Sequence, residues 1–153
     1  MAPSRVRAVL RARLIAAGVC AGVYIAGDMT WVTLTSGPIY RPVLGHLMAD
    51  RIDVGAAVAF YIVYLVGMLT FAIAPCLHAV AWRPALWRGA LLGLVAYGTY
   101  DLTNQATLRN WSVNVSLIDM VWGAVITGLA SAAGCAAASL TDRRQVSVAG
   151  PAR

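Results

Sequence analysis

Apolar residues fall into four long runs separated by short polar connections. The runs cover about residues 14–36, 54–80, 85–108 and 113–139. A helix rises about 1.5 Å per residue, so each run can cross a hydrocarbon core roughly 30 Å thick. The pattern predicts an all-α polytopic membrane protein, an antiparallel four-transmembrane-helix bundle that forms one domain over residues 14–140.

The connections predict how the spans follow one another. Gly37-Pro38 is expected to end the first span. Residues 42–48 mix apolar and polar positions, which predicts a short helical segment in the membrane interface between spans one and two. Residues 109–112 form the shortest turn, so spans three and four should be adjacent and antiparallel. Gly89 and Gly93 would let a neighbouring helix approach closely.

Arginine positions predict the orientation. Nine lie on the side of the termini, at residues 5, 7, 11, 13, 83, 88, 143, 144 and 153, and three lie on the other side, at 41, 51 and 109. Cytoplasmic segments carry an excess of basic residues, so both termini are expected in the cytoplasm. Residues 1–13 form a basic N-terminus like that of a signal peptide, but the apolar run after it favours an uncleaved span. Residues 141–153 are expected to be a disordered cytoplasmic tail.

Composition agrees with a membrane location and narrows the function. The chain is 60% hydrophobic and 12% charged, whereas soluble domains have roughly 25% charged residues. Its net charge of +6 comes from arginines in the connections between the apolar runs and at the termini. Membrane topology explains such positions, so we expect no nucleic-acid partner. The three cysteines are isolated and show no metal or disulfide spacing. Nucleotide motifs and a serine nucleophile elbow are also missing from the sequence.

The third run turns polar from Tyr97 to Leu108, where a span would ordinarily stay apolar. Asp101 lies inside this stretch, and a carboxylate at a bilayer centre costs about 2.5–3.5 kcal/mol on insertion scales. Such a residue must face protein or a hydrated cavity, and it is a candidate for function by default.

The polar residues of the four spans fall at one depth. Counted from the outer end of each span at 1.5 Å per residue, Asp28 lies roughly 12 Å inside, Asp101 and Tyr61 roughly 10 Å, and Asp119 roughly 9 Å. Their common level predicts an Asp, Tyr and Trp polar cavity near the outer leaflet. Asp28-Met29-Thr30-Trp31 is echoed by Asp119-Met120-Val121-Trp122, and in each copy the tryptophan shares a helix face with the aspartate.

The candidate site follows from this layer. The candidate catalytic residues are Asp101, Asp119 and Asp28, since neighbouring carboxylates with different protonation supply a general acid and a base. The candidate binding residues are Tyr97, Tyr100, Asn104, Tyr24, Trp31, Trp122, Tyr61, Tyr64 and His46. No metal ligand is assigned, because no carboxylate spacing is diagnostic, and a divalent cation among the three carboxylates and the identity of any cofactor are left open.

Three kinds of function remain. The first is a membrane-embedded enzyme or binding protein for a lipid or other amphiphile. The second is a small transporter or proton-linked carrier, which would be a homo-oligomer because four short spans enclose little volume. The third is an accessory subunit in which the polar groups hold helices together, as buried polar side chains often do in membranes.

Two stretches resemble a known family. Tyr100 through Trp111, followed by Asp119-Met120-Val121-Trp122-Gly123, is similar to the DUF2177 family of small bacterial membrane proteins. Asp28-x-x-Trp31 and the segment from Tyr40 to Leu47 fit the same pattern, and the resemblance covers about residues 14–135. It implies a four-span protein of the bacterial inner membrane, and it implies no activity, cofactor or catalytic residue.

Overall fold

The computed structural model describes residues 3–77 and 81–148, with side chains described for residues 7–77 and 81–140. The described chain is helical, with α1 (Pro3–Thr35), a π-helical segment π1 (Ser36–Tyr40), α2 (Arg41–Leu44), α3 (Val54–Gly67), a second π-helical segment π2 (Met68–Ile73), α4 (Ala74–Leu77), α5 (Trp82–Thr107) and α6 (Val113–Val148). These segments join into four long helices, which confirms the predicted all-α helical bundle. The turns 45–53 and 108–112 lie at one end, here called the loop end, and the opposite end is called the terminal end.

Three helical stretches are long and apolar enough to cross a membrane: Arg7–Leu44, Val54–Leu77 and Val113–Leu140. The 26-residue helix α5 has the length to span a membrane but is not one of the three, since its second half carries the polar stretch that begins at Tyr97. The fourth crossing therefore stays a prediction.

The first long helix does not end at Gly37-Pro38, so this expectation was wrong. The chain passes through π1 and α2 to Leu44 without leaving the helix, and the N–H of Arg41 bonds to the carbonyl of Ser36, five residues earlier. Proline lacks the N–H that an α-helix would use, and the wider π turn absorbs the lost bond. The segment predicted as a separate interfacial helix at 42–48 is instead the end of this helix followed by a turn.

The second long helix begins where the sequence predicts. Asp53 is its N-cap, and its side chain accepts a hydrogen bond from the Ala56 N–H at 3.0 Å. Helical spacing alone would place Phe71 on the same face as Tyr61, Tyr64 and Met68, but it does not lie there. Phe71 is 63% exposed, and Ala72 is buried in its place, because the π2 turn shifts the buried face by one residue.

Small residues let α5 and α6 pack closely side by side, as predicted for spans three and four. Gly93 lies against the backbone of Gly123, and Gly89 lies against Thr127 and Ser131. A methyl group at either α5 position would collide with α6, so glycine is what permits this spacing. Asn110, with φ of 61°, turns the chain between the two helices.

The last helix continues beyond the predicted span end at 139 and reaches Val148. Residues 141–148 are therefore helical where a disordered tail was expected, because no proline or glycine in that stretch interrupts the α6 backbone. The rest of the predicted tail, 149–153, and the start of the basic N-terminus, 1–2, lie outside the described residues.

Candidate functional site

Asp28 accepts hydrogen bonds from tyrosine hydroxyls on two other helices. It is 8% exposed on the buried face of α1. The Tyr61 hydroxyl donates to its Oδ2 at 2.8 Å, and the Tyr97 hydroxyl donates to its Oδ1 at 3.3 Å. Residues from α1, α3 and α5 thus meet at the common depth that the sequence predicts, and both oxygens of this carboxylate have donors.

The same group extends toward the middle of the bundle. The hydroxyls of Tyr24 and Tyr97 lie 3.0 Å apart, and the Tyr64 hydroxyl lies 2.9 Å from Thr127 Oγ1 on α6. The rings of Tyr24 and Tyr64 have centroids 5.0 Å apart. This tyrosine cluster connects all four long helices through hydrogen bonds and ring contacts.

Asp119 has a separate set of partners at the loop end. The Tyr40 hydroxyl donates a hydrogen bond to Asp119 Oδ1, and Trp31 Nε1 donates to the Tyr40 oxygen at 3.0 Å. Tyr40 can reach this position because π1 carries the first helix past Pro38. Tyr40 was not among the predicted site residues; the available signal was its position at the start of the family-like segment that runs to Leu47.

The two Asp-x-x-Trp segments meet in space. The rings of Trp31 and Trp122 stack with centroids 4.5 Å apart and planes 9° from parallel. Trp31 donates its N–H to Tyr40, whereas the buried Nε1 of Trp122 has no hydrogen-bond partner in residues 7–77 and 81–140. The sequence echo therefore corresponds to a contact between α1 and α6, with one tryptophan satisfied and the other unsatisfied.

Asp101 differs from the other two aspartates. It is 0% exposed, and within the described part of the chain neither carboxylate oxygen has a hydrogen-bond partner. It lies on α5 next to α6, where it interacts electrostatically with Asp119. One turn further along α5, the buried Oε1 of Gln105 also lacks a partner, while its Nε2 donates to the Trp111 carbonyl at 3.4 Å. Three acceptor atoms at this place therefore have no donor. We call Asp101 and Gln105 the acceptor site.

The comparison with known families bears on this arrangement. A family described as predicted membrane protein (DUF2177) matches residues 13–136. The chain belongs to the DUF2177 family. The matched range agrees with the resemblance drawn from the sequence, and it contains all three buried aspartates. The family description states a membrane protein and gives no activity. No curated protein and no solved structure matches the chain.

Three predicted site residues of this DUF2177 protein lie outside the tyrosine cluster. His46 is exposed in the turn after α2. Tyr100 is 60% exposed and contacts Trp111 edge to face, with ring centroids 5.9 Å apart. Asn104 is half-buried near the end of α5. These three positions surround the loop end and do not join the tyrosine cluster.

The three aspartates do not form one metal-binding group. Within residues 3–77 and 81–148, no cluster of three His, Cys, Asp or Glu side chains is placed to hold a metal ion. The single open polar cavity that we expected is divided as well. Asp28 and Asp119 bond to aromatic partners, whereas both oxygens of Asp101 lack a partner among the described residues.

Proposed function

We propose that this DUF2177 protein is a multi-pass protein of the bacterial inner membrane that binds the polar head group of a lipid or other amphiphile at the acceptor site. The observation that carries the proposal is the fully buried carboxylate of Asp101, which has no hydrogen-bond partner among the described side chains. Buried polar groups are nearly always hydrogen-bonded, and an ionisable group within a membrane is costly. A ligand that supplies donors would remove that cost.

The free groups define what such a ligand must offer. Asp101 contributes two acceptor atoms and Gln105 contributes one. A head group with hydroxyl or ammonium donors matches this set, since carboxylate and amide oxygens accept and do not donate. Tyr97 and Tyr100, on the same helix one turn before and directly beside Asp101, are the residues that would orient it.

The orientation supports access from the outer leaflet. The arginines of the terminal end outnumber those of the loop end, so the loop end would face away from the cytoplasm, with both termini inside. The acceptor site lies within two turns of that end of α5. A lipid head group in the outer leaflet would therefore reach Asp101 without crossing the bilayer.

Asp119 gives this site the capacity for chemistry as well as binding. It interacts electrostatically with Asp101 and is itself bonded to Tyr40. Two carboxylates that interact in a dry environment favour one protonated and one ionised group, which is the arrangement of a general acid and base. In an enzyme, Asp101 and Asp119 would fill these roles, with Asp28 as a further carboxylate.

A proton-linked carrier is the second candidate, and the same pair of carboxylates favours it. Buried aspartates between helices are typical of proton relays in transporters. A carrier of this size would work as a homo-oligomer, because one copy encloses little volume. A carrier should show ion- or proton-coupled flux in liposomes, whereas a protein that only binds a ligand should not.

The test compares lipids in membranes that contain equal amounts of wild type, Asp101→Asn and Asp50→Asn. Asp50 lies exposed in the turn before α3, so its substitution makes the same chemical change away from the acceptor site. We expect one lipid class to co-purify with wild type and Asp50→Asn and to be lost from Asp101→Asn. A species whose abundance in the membrane changes only with an intact Asp101 would indicate modification as well as binding.

Other outcomes would count against the proposal. If all three proteins are folded and carry the same lipids, Asp101 is not a ligand-binding group. Ion- or proton-coupled flux in liposomes that Asp101→Asn abolishes would then favour the carrier. Loss of a protein partner without any lipid or flux signal would favour an accessory subunit.

A further inference from the structure

A second feature lies at the opposite end of the molecule, between the first and second long helices. A groove of about 260 Å³ runs between α1 and π2. Ala16 and Ile73 form its floor and are 0% and 1% exposed, and Leu69, Ala74 and Leu77 form its sides. Among the described residues, its polar lining consists of Arg13 and Thr70. The groove is thus apolar along its length and has one cationic side chain at the terminal end.

The groove has a clear structural cause. The π2 turn widens the second helix, and the small side chains of Ala16 and Ala74 leave space where α1 and the second helix would otherwise interlock. It is formed by regular helical backbone, so it does not depend on a loop.

Its position determines what can fill it. Both helices that form it are apolar enough to span a membrane, so the groove opens toward hydrocarbon. An empty space there would cost the lining side chains their dispersion contacts. Acyl chains are the apolar groups that the surrounding bilayer supplies.

The charge of Arg13 determines which class of lipid the groove would bind. Arg13 is exposed, and no ion pair is found among the described side chains, so no carboxylate there neutralises its guanidinium. Guanidinium groups match phosphate with two parallel hydrogen bonds. The terminal end also carries most of the arginines, and the cytoplasmic leaflet that such an end faces is rich in anionic lipid.

We propose that this groove is a binding site for an anionic phospholipid, with one acyl chain between α1 and π2 and the lipid phosphate on Arg13. The site is at the other end of the bundle from Asp101, and it does not depend on the proposed function there. It would fix the spacing of the first two long helices by filling the gap between them.

The test measures binding of phosphatidylglycerol and phosphatidylcholine to the full chain in mild detergent, by native mass spectrometry and by the shift in thermal unfolding. Arg13→Gln removes the guanidinium, and Arg11→Gln removes an exposed arginine from the same helix outside the groove. We expect phosphatidylglycerol to bind wild type and Arg11→Gln more tightly than phosphatidylcholine. Arg13→Gln should bind phosphatidylglycerol about tenfold more weakly, the loss expected for one charge-assisted contact.

A second pair of variants tests the acyl chain. Ala74→Leu fills the groove, and Ala26→Leu adds the same bulk on an exposed face of α1. We expect Ala74→Leu to lose the bound lipid while Ala26→Leu keeps it. If Ala74→Leu does not fold, as judged by circular dichroism, Thr70→Leu narrows the groove from its exposed rim and serves instead.

Three results would overturn this inference. Equal losses in Arg11→Gln and Arg13→Gln would indicate diffuse attraction to a basic surface. Unchanged binding in the variant that fills the groove would show that no acyl chain lies there. Equal stabilisation by glycerol phosphate, which has no acyl chain, would identify Arg13 as a site for free phosphate.

Discussion

The surroundings of Asp28 and Asp101 are opposite although both carboxylates are buried in the bundle. Asp28, 8% exposed, accepts hydrogen bonds from Tyr61 and Tyr97. Asp101, 0% exposed, accepts none within the described chain. Satisfied polar groups hold membrane helices together, whereas an unsatisfied one costs stability. The difference is consistent with a structural role for the tyrosine cluster around Asp28, and it is the observation on which the proposed ligand role of Asp101 rests.

The largest expected effect concerns the helix contact that places Asp101 beside α6. Gly93→Ala puts a methyl group against the backbone of Gly123, which cannot move aside, so we expect destabilisation by about 1–3 kcal/mol. Gly27→Ala, close to Asp28 on α1, meets only the tip of the Ile126 side chain, which can rotate. We expect this control to stay within about 1 kcal/mol of wild type, helped by the better helix propensity of alanine. Unfolding in mixed micelles measures both, and equal losses would contradict the assigned α5–α6 contact.

The next effect compares the two aspartates directly. Asp28→Asn removes the charge that strengthens two hydroxyl hydrogen bonds and replaces one acceptor oxygen with an N–H₂ donor opposite a hydroxyl that donates in the wild type, so we expect a loss of about 1.5–3 kcal/mol. Asp101→Asn has no hydrogen bond to lose and removes a buried carboxylate, so stability should be unchanged or increased. The same unfolding assay applies. A similar loss in both variants would mean that Asp101 is a structural residue like Asp28.

The smallest effect separates the two stacked tryptophans. Phenylalanine keeps an aromatic ring at either position, and each Trp→Phe substitution removes the same part of the indole ring. Trp31→Phe also removes the N–H that bonds to Tyr40, whereas Trp122→Phe removes an N–H that has no partner. We expect Trp31→Phe to be less stable than Trp122→Phe by about 0.5–1.5 kcal/mol. The opposite order would show that the indole of Trp122 makes a bond that Trp31 lacks.

The sequence determined the helical class of this protein and much of its polar layer. Four apolar runs predicted four long helices, and the depth of Asp28 and Tyr61 placed them at one level, where the structure shows them bonded. These features depend on helical rise and on the cost of polar groups in hydrocarbon. Both can be read from a short stretch of sequence without knowledge of tertiary contacts. The repeated Asp-x-x-Trp segment was visible for the same reason.

Other features depended on contacts that no local pattern contains. Whether a buried carboxylate has donors is decided by side chains from other helices, so the same role was predicted for Asp28, Asp101 and Asp119. The π turns also required the structure, because Gly37-Pro38 reads as an end of a helix unless the chain around it favours continuation. Those turns bring Tyr40 to Asp119 and open the groove beside Arg13, so tertiary packing decided which polar groups meet and where a ligand can bind.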